Sequence, residues 1–148
     1  MARKEFIRLV EEDIMTFDRL AGRIRMDPSH EYLLPRQQMT VLVRLYERPA
    51  RLKDIARREG LSTPNLCATF RKLEHDGFVE RTVDESDRRN TWYRCTPAGS
   101  DMARAAIERF RAEIDKLFAD ISPADEARLT AALKEISVVL KKMESKNA

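Results

Sequence analysis

The chain has 148 residues, enough for one domain with a real core, and its 36% charged residues against only 4 glycines suit a mostly helical protein with short turns. No stretch is long and apolar enough to span a bilayer, Met1-Ala2-Arg3-Lys4-Glu5 leads into no apolar signal core, and Cys67 and Cys95 form no CxxC pair, so a soluble cytoplasmic protein with no membrane partner is expected. The net charge is only +3, but it is unevenly placed: Arg36 to Gly99 holds 13 Lys/Arg against 9 Asp/Glu, the flanks 15 against 16, so the basic excess lies in the middle segment.

A first helix is predicted from about Glu5 to Met26, where Phe6, Val10, Ile14, Phe17, Leu20 and Ile24 recur at spacings of three or four. Asp27-Pro28-Ser29-His30 breaks it. Leu34-Pro35 opens a second helix, with Pro35 suited to the first helical position, running from about Arg36 to Glu47 with Met39, Leu42, Val43 and Tyr46 inward. A third helix covers Leu52 to Glu59 and stops at Gly60. A fourth covers Pro64 to Asp76 and stops at Gly77. Strands follow at Phe78–Val83 and Thr91–Cys95, then a long helix from Pro97 to about Ala119 and a last one from Pro123 to about Met143. Thr63-Pro64, Thr96-Pro97 and Ser122-Pro123 each read as a cap residue followed by Pro, and Asp125 three residues after Ser122 approximates a capping box.

Helix, Gly turn, helix and a hairpin with a charged loop describe a winged helix-turn-helix, a module that lays its second helix in the DNA major groove. The expected fold is therefore mainly α with a small β-hairpin. Residues 1–148 form a single domain: an N-terminal dimerisation segment at 1–34, the winged helix-turn-helix lobe at 35–99, and C-terminal dimerisation helices at 100–148. Dimerisation is inferred because Leu129, Leu133, Ile136, Leu140 and Met143 approach a heptad seam and the first helix carries a similar stripe, more apolar face than a small lobe needs.

Projected at 100° per residue, the fourth helix puts Leu66, Phe70 and Leu73 on the core side with Thr69 beside them. Pro64, Ala68, Arg71 and His75 lie opposite, flanked by Asn65 and Lys72; this face is polar, cationic and slim at Ala68. Because recognition helices read bases near their N-termini, Thr63 and Asn65 are the candidate base contacts, an Asn being able to pair bidentately with adenine. Arg71 and Lys72 are placed toward phosphates, and Ser62 either caps the helix or offers its hydroxyl to phosphate. At the hairpin tip, Asp84 to Asn90, Asp87 can orient Arg88 or Arg89 by a charge-assisted hydrogen bond, ready for a narrow minor groove. Trp92 faces out of the hairpin if Tyr93 and Cys95 face in.

The string Leu61-Ser62-Thr63-Pro64 … Leu73-Glu74-His75-Asp76-Gly77-Phe78-Val79-Glu80-Arg81 … Asp87-Arg88-Arg89 … Thr96-Pro97-Ala98-Gly99 resembles the MarR family of bacterial transcriptional regulators, over nearly the whole chain. The resemblance implies a homodimer with interlocked terminal segments on a palindromic operator in double-stranded DNA, usually repressing. It implies that Arg89 enters the minor groove with Asp87 supporting it, and that a small phenolic or aromatic effector releases the DNA. Cys95 stands where the family usually has Leu, and Pro35 where Thr or Ser is more usual. Neither cysteine lies in the first helix, where peroxide-sensing relatives carry their thiol, so both are read as structural rather than redox-active.

An enzyme is not expected. The chain has only His30 and His75, and no phosphate loop, metal-ligand cluster or nucleophile elbow, so no cofactor or metal is assigned. A winged-helix protein-interaction module without sequence-specific DNA binding is the alternative; it would expose an apolar patch where this chain places Asn65, Arg71, Lys72, Arg88 and Arg89. His30, Tyr32 and Arg36 lie near the junction of the first two helices, but no residue is assigned to a ligand.

Overall fold

Proline, glycine and short hydroxyl residues set most element boundaries. The structure, a computed structural model, describes residues 2–26, 34–83, 85–87 and 91–146. Its elements in chain order are α1 (Ala2–Met26), α2 (Arg36–Glu47), β1 (Ala50–Arg51), α3 (Leu52–Glu59), α4 (Thr63–His75), β2 (Val79–Val83), β3 (Thr91–Cys95), α5 (Pro97–Leu117) and α6 (Pro123–Lys146). The chain divides into two compact units, Met1–Glu113 and Ile114–Ala148. Among the described residues no helix is long and apolar enough to cross a membrane.

The core of the first unit forms where α2, α3 and α4 bring their apolar sides together with β2, β3 and the start of α5. Val41, Leu42, Leu66, Phe70, Leu73, Val79 and Ala103 are fully enclosed there, with Leu45 and Ile55 nearly so. This core corrects the predicted inward face of α2. Leu42 is buried as expected and Met39 and Val43 are partly so, but Val41 and Leu45 complete the face while Tyr46 is exposed. Val41-Leu42-Val43 is apolar on consecutive positions, so spacing alone does not choose between two neighbouring stripes; packing of α2 on α4 and β3 chooses.

Two caps also differ from expectation. Pro35 is the N-cap of α2 rather than its first helical residue, with extended backbone (φ −53°, ψ 146°) and its carbonyl accepting the Met39 N–H at 3.0 Å. At α4 the cap is Ser62, one of the two readings given for it, and not Thr63, so Thr63 and Pro64 form the first turn. Gly60 ends α3 in the left-handed region at φ 62°, which a side chain would strain. Ser122 behaves as read: its Oγ accepts the Asp125 N–H at 3.1 Å and donates to Asp125 Oδ2 at 2.9 Å.

The hairpin is part of a three-stranded antiparallel sheet of order β1-β3-β2. Ala50 pairs with Tyr93 and Arg51 with Trp92, while β2 pairs with β3 from Val79↔Cys95 to Val83↔Thr91. β1 escapes sequence reading because two residues carry no period. α1 is an amphipathic helix whose predicted stripe is buried at Ile24 and half-buried at Leu20, while Phe6, Val10, Ile14 and Phe17 are exposed. In the second unit α6 likewise exposes Leu133, Ile136, Leu140 and Met143.

Candidate nucleic-acid interface

Helix α4 presents two chemically opposite sides. Leu66, Thr69, Phe70 and Leu73 are buried, and the Thr69 hydroxyl donates back to the Asn65 carbonyl at 3.1 Å, so its polarity is satisfied within the helix. Ser62, Thr63, Pro64, Asn65, Ala68, Arg71, Lys72 and His75 are all exposed. The sequence-derived split of this helix therefore holds at every one of these positions. Ser62 makes no side-chain cap bond, which leaves its hydroxyl outside the helix's own bonding. Lys72 Nζ donates to Asp76 Oδ1 at 3.1 Å, an exposed i,i+4 pair that water or a phosphate can readily replace.

The hairpin leans on α4 through contacts that sequence reading missed. Tyr93 turns inward and packs on Phe70 with ring centroids 4.3 Å apart, and burial raises its phenol pKa above the ordinary value. Arg81 Nε lies 3.3 Å from Glu74 Oε1, joining β2 to α4. Both belong to the Leu-Glu-x-x-Gly-x-Val-x-Arg string, whose Glu and Arg thus meet in space. On the outer side Trp92 is 42% exposed, as expected, with the Arg51 guanidinium 5.4 Å from its ring centroid. Asp87 is exposed. The expectations placed on Arg88 and Arg89 lie outside the described residues.

A close-packed junction joins the end of α4, the start of β2 and the first turn of α5. The Phe78 N–H bonds back to the Leu73 carbonyl at 2.9 Å, and the Phe78 carbonyl accepts the Thr96 N–H at 3.1 Å. Thr96 Oγ1 donates to the Gly77 carbonyl at 2.6 Å and accepts the Gly99 N–H at 3.1 Å, so one hydroxyl both caps α5 and fastens it to the turn after α4. This gives the Thr-Pro-Ala-Gly run its physical reason. A Cβ on Gly99 would stand 1.9 Å from the Phe78 carbonyl oxygen.

Cys95 supports the reading of a structural thiol. Its Sγ–H donates to the Leu42 carbonyl at 3.5 Å, and burial pushes its pKa up to about 11. At pH 8 it should hold about a hundredfold less thiolate than an ordinary cysteine, because each pKa unit is tenfold in that regime. Iodoacetamide followed by peptide mass spectrometry should leave Cys95 unlabelled in the folded protein and label it after denaturation; equal labelling in both states would contradict the assignment. Among the described residues, no three His, Cys, Asp or Glu side chains gather as a metal site.

Residues 34–91, which run from two residues before α2 to the first residue of β3, match the model of the MarR family. That segment, the helix-turn-helix with the first strand of its hairpin, is what likens the chain to the MarR family. It is similar to the uncharacterized HTH-type transcriptional regulator YwhA of Bacillus subtilis, 27% identical over 86 residues, or 58% of this chain and 62% of that protein. The match thus spans less than two thirds of YwhA's length. Among solved structures, FabT of Streptococcus pneumoniae in complex with DNA superposes with a TM-score of 0.62 at 16% identity, covering 96% of FabT and 95% of this chain. BpsR of Bordetella bronchiseptica, whose DNA binding is regulated by 6-hydroxynicotinic acid, gives 0.64 at 18% identity, covering 98% of BpsR and 85% of this chain. Both likenesses show the fold alone, mainly helical with a small antiparallel sheet.

Proposed function

We propose that the protein is a transcriptional regulator that binds duplex DNA sequence-specifically, as a homodimer on a palindromic operator, and represses until a small aromatic ligand releases it. The observation that carries this reading is the exposed face of α4. It offers Thr63 and Asn65 near the helix start, where bases are read, and Arg71, Lys72 and His75 further along, where phosphates lie. No large apolar side chain interrupts that face, so a protein-docking role is the weaker reading. Ser62 and Pro64 border the groove-facing turn, and Ala68 lets the backbone approach base edges closely. Asp87, Arg88 and Arg89 extend the contact toward the minor groove, by resemblance to the family's wing. The DNA complex of FabT supports the partner, and the regulation of BpsR by 6-hydroxynicotinic acid supports an aromatic effector.

The homodimer rests on the exposed apolar stripes of α1 and α6, which a second copy would cover. Sedimentation should give twice the 17.2 kDa chain mass, and deleting Lys134–Ala148 should yield monomer or insoluble chain; a folded dimer after that deletion would contradict the architecture. Selection of binding sites from a random duplex pool tests the function itself. It should enrich an inverted repeat with half-sites about one helical turn apart. A pool that shows no enrichment after repeated rounds would contradict sequence-specific binding.

A further inference from the structure

The cations of α3 were not among the residues picked out from the sequence, yet the ion pairing around them leaves them in surplus. Helix α3 carries two acids, and both are engaged by cations from other elements. Glu59 accepts from Arg44 Nε of α2 at 2.5 Å, and the pair holds the Arg44 pKa above its ordinary value. Asp54 accepts from Arg51 of β1 at 2.8 and 3.4 Å, and that hydrogen bonding holds its carboxyl below the usual range. Arg57 reaches Asp54 only at 3.5 Å and leaves 74% of its side chain exposed. Lys53 and Arg58 are exposed as well. Ile55 and Ala56 anchor the helix in the core, and α3 packs directly on α4. Lys53 and Arg57, four residues apart, stand on one side of the exposed surface and Arg58 on the other.

We infer that Lys53, Arg57 and Arg58 form a second DNA contact, a phosphate clamp on the duplex backbone beside the groove that α4 enters. The inference rests on the proposed DNA-binding function and extends it to a helix that reads no bases. Its partner is the phosphodiester backbone because the three groups are exposed cations on the helix that precedes the groove-facing one, where phosphates rather than base edges lie within reach. In a helix-turn-helix the first helix crosses the backbone while the second lies in the groove, which is the position α3 holds ahead of α4.

The test is fluorescence anisotropy of the full chain and of K53Q/R57Q/R58Q, on its selected duplex and on a shuffled one, across about 50–200 mM KCl. Loss of three phosphate contacts from each protomer of the proposed homodimer, six in all, should make the plot of log affinity against log salt shallower by about 5.4. Affinity should fall by the same factor on both duplexes, leaving the preference between them intact, and the thermal midpoint should hold because all three side chains are exposed. Unchanged slope and affinity, with wild type still preferring its selected duplex, would overturn the clamp alone. Failure of wild type to bind either duplex would overturn the clamp together with the reading beneath it.

Discussion

Gly99→Ala will cost about 3 kcal/mol of stability, at the upper end of what one buried methyl can do, because the group meets backbone rather than a yielding side chain. The added Cβ would lie 1.9 Å from the Phe78 carbonyl oxygen and 2.8 Å from its carbon. That carbonyl cannot move alone, since it accepts the Thr96 N–H, and Thr96 Oγ1 in turn binds the Gly77 carbonyl. Relief therefore requires α5 to back away from the turn between α4 and β2. A thermal melt should show a loss on the order of 10 °C. Gly22→Ala is the matched control: Gly22 lies within α1 with nothing within 4 Å of an added Cβ, so alanine should stabilise that helix by roughly 0.5–1 kcal/mol. Equal melting of Gly99→Ala and wild type would show that the junction is loose.

Asn65→Ala will weaken binding to the selected operator by about 1–3 kcal/mol per half-site and will relax the preference at one base pair in each. Asn65 sits in the first turn of α4, exposed, and only its backbone carbonyl is used within the helix, by the Thr69 hydroxyl. Deleting its side chain therefore leaves the core and the helix intact, and the melt should not change. Arg71→Ala should behave differently, weakening selected and shuffled duplexes alike, as a phosphate contact does. Repeating the site selection with each variant separates the two. An unchanged preferred sequence for Asn65→Ala would remove Asn65 from the base-reading set.

The helices of the DNA-facing lobe were legible because their ends are written in residues with few conformational options. Gly60 and Gly77 stop α3 and α4, both at positive φ, and Pro64, Pro97 and Pro123 mark three starts. The two sides of α4 were legible because apolar Leu66, Phe70 and Leu73 alternate cleanly with polar neighbours. The inner face of α2 was not, because its apolar run fills adjacent positions and only the neighbours decide which are enclosed. β1 was too short to show a period. Glu74 and Arg81 are seven residues apart across a helix end, a turn and a strand, so no single periodicity pairs them; the fold does. The surplus charge of α3 was hidden for a related reason. Counting residues gives three cations and two acids on that helix, whereas in the structure Arg44 and Arg51 from elsewhere make the shortest ion pairs to both acids, and Arg57 adds a longer one to Asp54.

The central claim is that the exposed face of α4 reads DNA sequence. Anisotropy of the wild-type chain at fixed salt, on its selected duplex and on a shuffled duplex of equal length, tests it most directly. The account predicts an affinity ratio of about a thousand or more, with both affinities falling steeply as salt rises. Equal, weak affinity for the two duplexes would contradict it.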